Sequence, residues 1–256
     1  MDKIKVLVSG ANGKMGKEVV EMILRDQELE YVGGVDYSYD VNPDLKHYSD
    51  LKEAIIAVKP DVIVDFTNPK SVKENVEIAL KLGVRPVVGT TGLSKEDIYL
   101  LDKLAVEHEI GGLIAPNFAT GAVLMMRFSQ MASKYMPNVE IIEMHHDQKL
   151  DAPSGTAIKT AELISKERVE LYQGNKEEVE TIAGSRGGNY SGFRIHSVRL
   201  PGLVAHQEVI FGDQGQTLTI RHDSINRESF MPGVNLAIKR VQSFTGIIYG
   251  LEHLLD

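Results

Sequence analysis

Along the first half of the chain, short apolar runs alternate with longer segments of helical period. Ile4-Lys5-Val6-Leu7-Val8-Ser9 reads as a short strand, and the segment after it carries Val19, Val20, Ile23 and Leu24 on one side, as an amphipathic helix does. A second strand is predicted over 29–35 and a third over 61–67. The spacing of Val72, Val76, Ala79 and Leu80 predicts a helix over 69–82, stopped by Gly83. Another strand and turn occupy 85–92. Ser94 then caps a helix that runs through His108, with Glu96 and Asp97 in its first turn. A fifth strand and turn fill 111–118. Five strands alternating with helices predict a parallel, doubly wound sheet, and ligands bind beyond the carboxyl ends of such strands.

The second half has a different pattern. A Met-rich helix (Met125, Met126, Met131) is predicted over 120–135, its methionines serving as core or interface filler. The run 138–144 is rich in β-branched residues and reads as a strand, and 156–169 reads as a helix. A glycine-rich flexible loop is expected over 184–192. Three strands in series follow, over 193–200, 203–211 and 217–222, with a hairpin turn over 212–215 between the last two. Strands in series predict an antiparallel or mixed sheet. Final helices are expected over 232–244 and 245–255. The fold class is therefore α/β: an N-terminal doubly wound parallel, Rossmann-like sheet plus a smaller α+β domain with a mixed or antiparallel sheet. The domain expectation is 1–117 with 228–256, and 118–227.

Composition narrows the function. The chain has 256 residues, 43% hydrophobic and 25% charged, enough for a real core. No run approaches the roughly 20 apolar residues of a membrane helix, so no membrane role is expected. Met1-Asp2-Lys3-Ile4-Lys5 leads straight into a strand, so no signal peptide is expected and the cytoplasm is the default location. The absence of cysteine removes disulfide and thiol chemistry. A formal charge of −8 argues against nucleic acid as a partner, and an anionic substrate would need locally concentrated positive charge.

Two stretches carry candidate chemistry. The first is Gly10-Ala11-Asn12-Gly13-Lys14-Met15-Gly16, between the first strand and its helix. Its glycines permit a tight turn and let a pyrophosphate approach the helix N-terminus, the opening of a dinucleotide-binding unit. Asp36 ends the second strand, where an acidic side chain accepts hydrogen bonds from the adenosine ribose. Phe66-Thr67, Gly89-Thr90-Thr91 and Ala115-Pro116-Asn117-Phe118 end the later strands and share that sheet edge.

The second stretch is His145-His146-Asp147-Gln148-Lys149-Leu150-Asp151-Ala152-Pro153-Ser154-Gly155-Thr156-Ala157. Adjacent histidines on a strand face opposite ways, and taken alone this is an ordinary surface strand end. No cysteine or third histidine stands at a ligand spacing nearby, so no metal is expected. The company of these residues argues for more. Ser154 is a candidate N-cap, and the N–H groups of Gly155, Thr156 and Ala157 are expected to converge as an anion site. His145, His146 and Lys149 beside that site would receive a carboxylate, with His145 and Lys149 placed to pass protons.

The segment from Glu143 to Ala157 resembles the signature of 4-hydroxy-tetrahydrodipicolinate reductases, also called dihydrodipicolinate reductases. The resemblance extends to the glycine loop, Asp36, the three edge loops and Arg186-Gly187. It implies NADH- or NADPH-dependent reduction of a cyclic, imine-conjugated dicarboxylate with loss of water, in lysine and diaminopimelate biosynthesis. It implies His145 as proton donor or acceptor, Lys149 as proton donor, and His146, Ser154, Gly155 and Thr156 on the substrate carboxylates. It also implies that the edge loops line the nicotinamide half of the cofactor site, and that the assembly is a homotetramer built through the second-domain sheet. Two positions depart from the family pattern. Tyr37 stands where many members carry an arginine suited to a 2′-phosphate, so both cofactors are expected to work, with NADH equal or better. Ala205-His206-Gln207-Glu208 departs from the usual order, and the roles of His206 and Gln207 stay open. Two other readings compete: another two-domain dehydrogenase of an amino-acid precursor, and a dinucleotide-sensing regulator with a degenerate site. The complete cationic turn and helix start disfavour the regulator.

Overall fold

A computed structural model describes residues 2–36 and 45–255. Tyr37, which stands where many members of the resembled family carry an arginine, lies outside the described residues. The chain divides into two compact units, Met1–Thr120 with Arg227–Asp256, and Gly121–Asn226.

The first unit opens with strand β1 (Ile4–Ser9), helix α1 (Lys14–Arg25), β2 (Leu29–Val35) and the two-residue β3 (His47–Tyr48). Next come α2 (Leu51–Val58), β4 (Val62–Asp65), α3 (Val72–Lys81), β5 (Arg85–Val88), α4 (Lys95–Glu107) and β6 (Gly111–Ile114). The second unit holds most of α5 (Thr120–Ser133), then β7 (Asn138–His145), α6 (Gly155–Glu167) and β8 (Gly188–Tyr190). It closes with β9 (Phe193–Arg199), β10 (Ala205–Asp213) and β11 (Gln216–Ser224). The chain then returns to the first unit with α7 (Met231–Arg240) and β12 (Gly246–Tyr249).

In the first unit the strand order is β12-β6-β5-β4-β1-β2-β3, and every pairing is parallel. Val6, Leu7 and Val8 of β1 have no solvent exposure, as a central parallel strand requires. The order reverses direction between β1 and β4, which makes their carboxyl ends the ligand-binding switch point of the sheet. Ser94 caps α4 in a full capping box: its hydroxyl accepts from the Asp97 N–H at 3.0 Å, and its own N–H donates to Asp97 Oδ2 at 3.0 Å.

The second unit is a mixed sheet in the order β11-β10-β7-β9-β8, with β7 and β9 parallel and the other pairs antiparallel. Its core face carries Val139, Ile141, Phe193, Ile195, Val209 and Phe211, and α6 buries Ala157, Ala161 and Ile164.

The structure corrects two expectations. The predicted helix over 245–255 is instead β12 followed by a single 3-10 turn, Leu251–Leu254. β12 pairs in parallel with β6, and Gly246 (φ +89°) and Gly250 (φ +104°) bracket it with backbone that would end a helix. The expected loop over 184–192 contains β8, which pairs with β9. Beyond the sequence reading, the structure also adds β3 and α2. Among the described residues no helix is long and apolar enough to cross a membrane.

Candidate active site

In the first unit the glycine turn is fixed by close backbone packing. Gly10 has φ +80°, and a Cβ there would stand 2.4 Å from the Phe66 carbonyl oxygen. A Cβ on Gly16 would stand 2.0 Å from the Gly10 carbonyl, so α1 can press against the turn only if that position is glycine. Gly13 is the N-cap of α1 and brings no side-chain cap to it, which leaves the helix start facing the loop. Ala11 is buried, Asn12 and Met15 are half-buried, and Lys14 is exposed. Asp36 Oδ2 accepts the Asn12 N–H at 3.0 Å, so the acidic side chain is tied to the glycine turn. A cleft of about 340 Å³ opens here, lined by Gly10, Gly13, Asp36, Phe66, Thr67 and Asn75 among others.

The edge loops are joined to one another. The Phe66 N–H donates to the Ser9 carbonyl at 3.0 Å, Gly89 N–H to Asp65 at 2.9 Å, and Ala115 N–H to Val88 at 2.9 Å. Asp65 is 1% exposed and organises the group. Its Oδ1 accepts from the Thr67 hydroxyl at 2.8 Å and the Thr90 hydroxyl at 2.7 Å, and its Oδ2 accepts from Asn75 at 2.8 Å. Phe66 and Phe118 pack with ring centroids 5.9 Å apart. Gly89 lies flush on Phe66, since a Cβ would come within 2.1 Å of that ring. Asn117 Oδ1 accepts the Ala119 N–H at 2.8 Å and shapes the last loop, in which Pro116 is exposed, as is Thr91 in the loop after β5.

In the second unit the alternation of β7 puts Val139, Ile141, Glu143 and His145 on the core face. His145 turns inward and is half-buried, and His146 points away and is exposed. The His145 Nδ1 lies 2.5 Å from Glu143 Oε2. Glu143 has no solvent exposure and receives Arg199 in a two-pronged pair, Nη2 to Oε1 at 2.7 Å and Nη1 to Oε2 at 2.9 Å. Its Oε1 also accepts the Ser154 N–H at 3.2 Å. One carboxylate therefore ties the strand end to the helix start. Arg199 Nη2 further donates to the Asp151 carbonyl at 2.8 Å, and Lys149 Nζ donates to Asp151 Oδ1 at 2.6 Å, which pins the intervening turn.

Ser154 is buried, and its hydroxyl oxygen accepts the Ala157 N–H at 3.2 Å. The Ala157 N–H thus belongs to the cap and drops out of the three amides expected to converge as an anion site. Gly155 is exposed, with open space where a Cβ would stand. Burial works to raise the Glu143 pKa, but hydrogen bonds from Arg199, Ser197 and His145 outweigh it and hold the carboxyl below the usual glutamate range. Burial pushes His145 below the ordinary histidine value, Lys149 and Arg199 add to that, and the Glu143 contact only partly opposes it. A carboxylate can only accept, so the short contact to Glu143 calls for hydrogen on Nδ1.

Glu143, Arg199 and Asp65 were not singled out from the sequence. A carboxylate on the buried phase of a β-branched strand, two residues before a histidine on the same face, was the available signal for Glu143. His206 sits on the opposite sheet face with Nδ1 2.6 Å from Asp223 Oδ1, and Gln207 is buried with Nε2 donating to Thr160 at 2.7 Å. Among the described residues no group of three or more His, Asp or Glu is placed to hold a metal.

Residues 4–118 match the model of the dihydrodipicolinate reductase N-terminus, and residues 121–255 match that of its C-terminus. The chain is 53% identical to a 4-hydroxy-tetrahydrodipicolinate reductase of Geobacillus thermodenitrificans, over 99% of each chain. It is 55% identical to another from Halalkalibacterium halodurans, over 99% of this chain and 100% of the relative. A solved structure described as dipicolinate-bound dihydrodipicolinate reductase from Paenisporosarcina sp. TG-14 superposes with a TM-score of 0.94 at 45% identity, covering 99% of this chain and 100% of that one.

Proposed function

The chain belongs to the dihydrodipicolinate reductase family, and from that premise we propose how its own residues carry out the reaction and which cofactor it prefers. The reaction is reduction of 4-hydroxy-tetrahydrodipicolinate to tetrahydrodipicolinate, a step of lysine and diaminopimelate biosynthesis. A hydride and a proton are added and one water leaves. NADH or NADPH supplies the hydride when bound. The cleft beside the uncapped start of α1 fits the pyrophosphate, and Asp36 fits the ribose hydroxyls. Gly10, Ala11, Asn12, Gly13, Lys14 and Met15 frame that half. Phe66, Gly89, Thr90, Thr91, Ala115, Pro116, Asn117 and Phe118 frame the nicotinamide half.

In the second unit, the exposed His146 and the amides of Gly155 and Thr156 take the substrate carboxylates, with Ser154 holding the helix start in place. Hydride arrival builds negative charge on the ring, and Lys149 delivers the proton that quenches it. His145 presents Nε2 to the substrate as proton acceptor and, once charged, as donor. A dianionic substrate raises the His145 pKa, so proton uptake accompanies binding. The observation that carries this reading is the buried Glu143, which links His145, the cationic turn and the α6 start in one hydrogen-bonded group.

NADH equals or exceeds NADPH, because Asp36 opposes a 2′-phosphate and the exposed Lys14 only partly offsets it. Assembly is a homotetramer formed through the second sheet face, where Ile142, Met144, Val198 and Ile210 share one surface and stay half-exposed within the unit. The cytoplasm is the expected location, since it supplies the reduced nicotinamide. The test is loss of nicotinamide absorbance on mixing the protein with NADH or NADPH and freshly generated 4-hydroxy-tetrahydrodipicolinate. No turnover with that heterocycle, together with turnover of semialdehydes, would transfer the protein to another dehydrogenase reaction.

A further inference from the structure

We infer that Glu143 is a positioning residue that sets the tautomer of His145 and locks the substrate turn to it, through the contacts His145 Nδ1···Oε2, Arg199 to both oxygens, and Ser154 N–H to Oε1. This rests on the acid–base reading of His145 given above. A carboxylate accepts hydrogen bonds and donates none, so it selects the ring form with hydrogen on Nδ1. The selected form leaves Nε2 as the working nitrogen. Second partners of this kind hold an imidazole in orientation as well as tautomer, and a histidine left in the wrong form is inactive however well it is placed.

The surroundings leave Glu143 alone in this task. The charged groups that face His145 are Glu143 on its own strand, Lys149 and Asp151 in the turn, and Arg199 on β9. On β10, Ala205 stands opposite His145 and Gln207 opposite Glu143, and neither is charged. Lys149 and Arg199 both disfavour the protonated ring, and the Glu143 carboxylate is the group that opposes them. The Oε1 side is held by two obligate donors, Ser154 N–H and Arg199 Nη2. The Oε2 side meets one obligate donor, Arg199 Nη1, and the imidazole, which can switch; the Ser197 hydroxyl, also bonded to this carboxylate, can donate or accept and so fixes neither orientation. A glutamine at 143 therefore keeps its oxygen toward Ser154 and turns its amide N–H toward His145 Nδ1. That forces hydrogen onto Nε2 and removes the acceptor.

The experiment combines kinetics with nitrogen-15 histidine spectroscopy on the full chain, the His145 signal being identified by its absence in His145→Ala. At pH 7.5 the unmodified protein should show His145 as the Nδ1–H form. Glu143→Gln should move the signal to the Nε2–H form and lower kcat by about 10²–10⁴, with cofactor KM changed by no more than about threefold. Glu143→Asp keeps the charge, so it should retain the Nδ1–H form and recover part of kcat. A purely structural role for Glu143 would lower the melting temperature and leave the tautomer and the kcat-to-KM pattern unmoved, which would overturn the inference. If His145→Ala lowers kcat and Glu143→Gln does not, the inference falls and the acid–base reading stands. If neither changes kcat, both fall. Should Glu143→Gln fail to fold, the unmodified protein still decides: an Nε2–H or doubly protonated His145 at pH 7.5 overturns the proposal.

Discussion

Replacing Asp36 by asparagine should reset cofactor choice. In the structure Asp36 Oδ2 accepts the Asn12 N–H at 3.0 Å, so the carboxylate is fixed to the glycine turn and cannot swing away from an incoming 2′-phosphate. Two unit charges about 4 Å apart repel by about 1 kcal/mol in bulk water and about 4 kcal/mol at an effective dielectric near 20. Asp36 is half-exposed, which places its repulsion toward the lower end, about 1–2 kcal/mol. Lys14 is exposed, and an ion pair from it to the phosphate returns about 0–1 kcal/mol. The unmodified protein should therefore range from near equality to about 30-fold in favour of NADH. An asparagine keeps a side-chain carbonyl for Asn12 and removes the charge. Its kcat/KM with NADPH should rise about 5–30-fold, and with NADH should fall a few-fold as a charge-assisted ribose contact becomes a neutral one. NADPH use should also be the more salt-sensitive of the two. The assay is kcat/KM for both cofactors, in both proteins, at two salt concentrations. An NADPH preference beyond about tenfold in the unmodified protein, or an unchanged ratio in Asp36→Asn, would show that the 2′ position is read by groups other than these.

Further outcomes are open to direct measurement. His145→Ala should bind cofactor normally and lose about 10²–10⁴ in kcat, and an unchanged kcat would remove His145 from the chemistry. Lys149→Ala should lower kcat and raise KM together, since a charge-assisted contact is worth roughly 1.5–3 kcal/mol, whereas a KM effect alone would make it a binding residue only. Gly16→Ala would put a Cβ 2.0 Å from the Gly10 carbonyl, so dinucleotide affinity should fall while Glu143-linked properties of the second unit stay as they are; titration of cofactor fluorescence checks this. Acid should destabilise the second unit. The folded pKa values of both His145 and Glu143 lie below their ordinary values, so their contributions are present above about pH 6.5 and pH 4.5. Each is lost as pH falls through the lower folded value, and melting temperatures should therefore drop between pH 7 and pH 4. A flat melting temperature across that range would refute the assignment.

Much of the fold was legible because local pattern and global pairing agree. Ser94 and Asp97 form a cap that the sequence alone specifies, and α4 starts where it says. Val6, Leu7 and Val8 form an apolar run too short for a helix, and they are the central strand. Where pattern misled, the deciding information was elsewhere in the chain. Ile247 and Ile248 carry no period that separates strand from helix; β12 exists because the Gly111–Ile114 edge of β6 offers it a ladder. His47 and Tyr48 form β3 only by pairing with Gly34 and Val35. The candidate site divides in the same way. His145, Lys149 and Ser154 stand close together in sequence, and their residue types suffice to single them out. Arg199 lies far from them along the chain and reaches Glu143 because β9 runs parallel to β7, with Arg199 opposite His145. No local window contains that pairing. Glu143 was visible only as a charge on the buried phase of a strand, and its meaning depends on the guanidinium that a neighbouring strand supplies. A buried carboxylate with one partner removed costs far more than it contributes when paired, so Arg199→Met should destabilise the unit more than Lys149→Met, whose partner Asp151 stays exposed to water. Equal losses of melting temperature in the two variants would mean that the group around Glu143 is held by packing rather than by its charges.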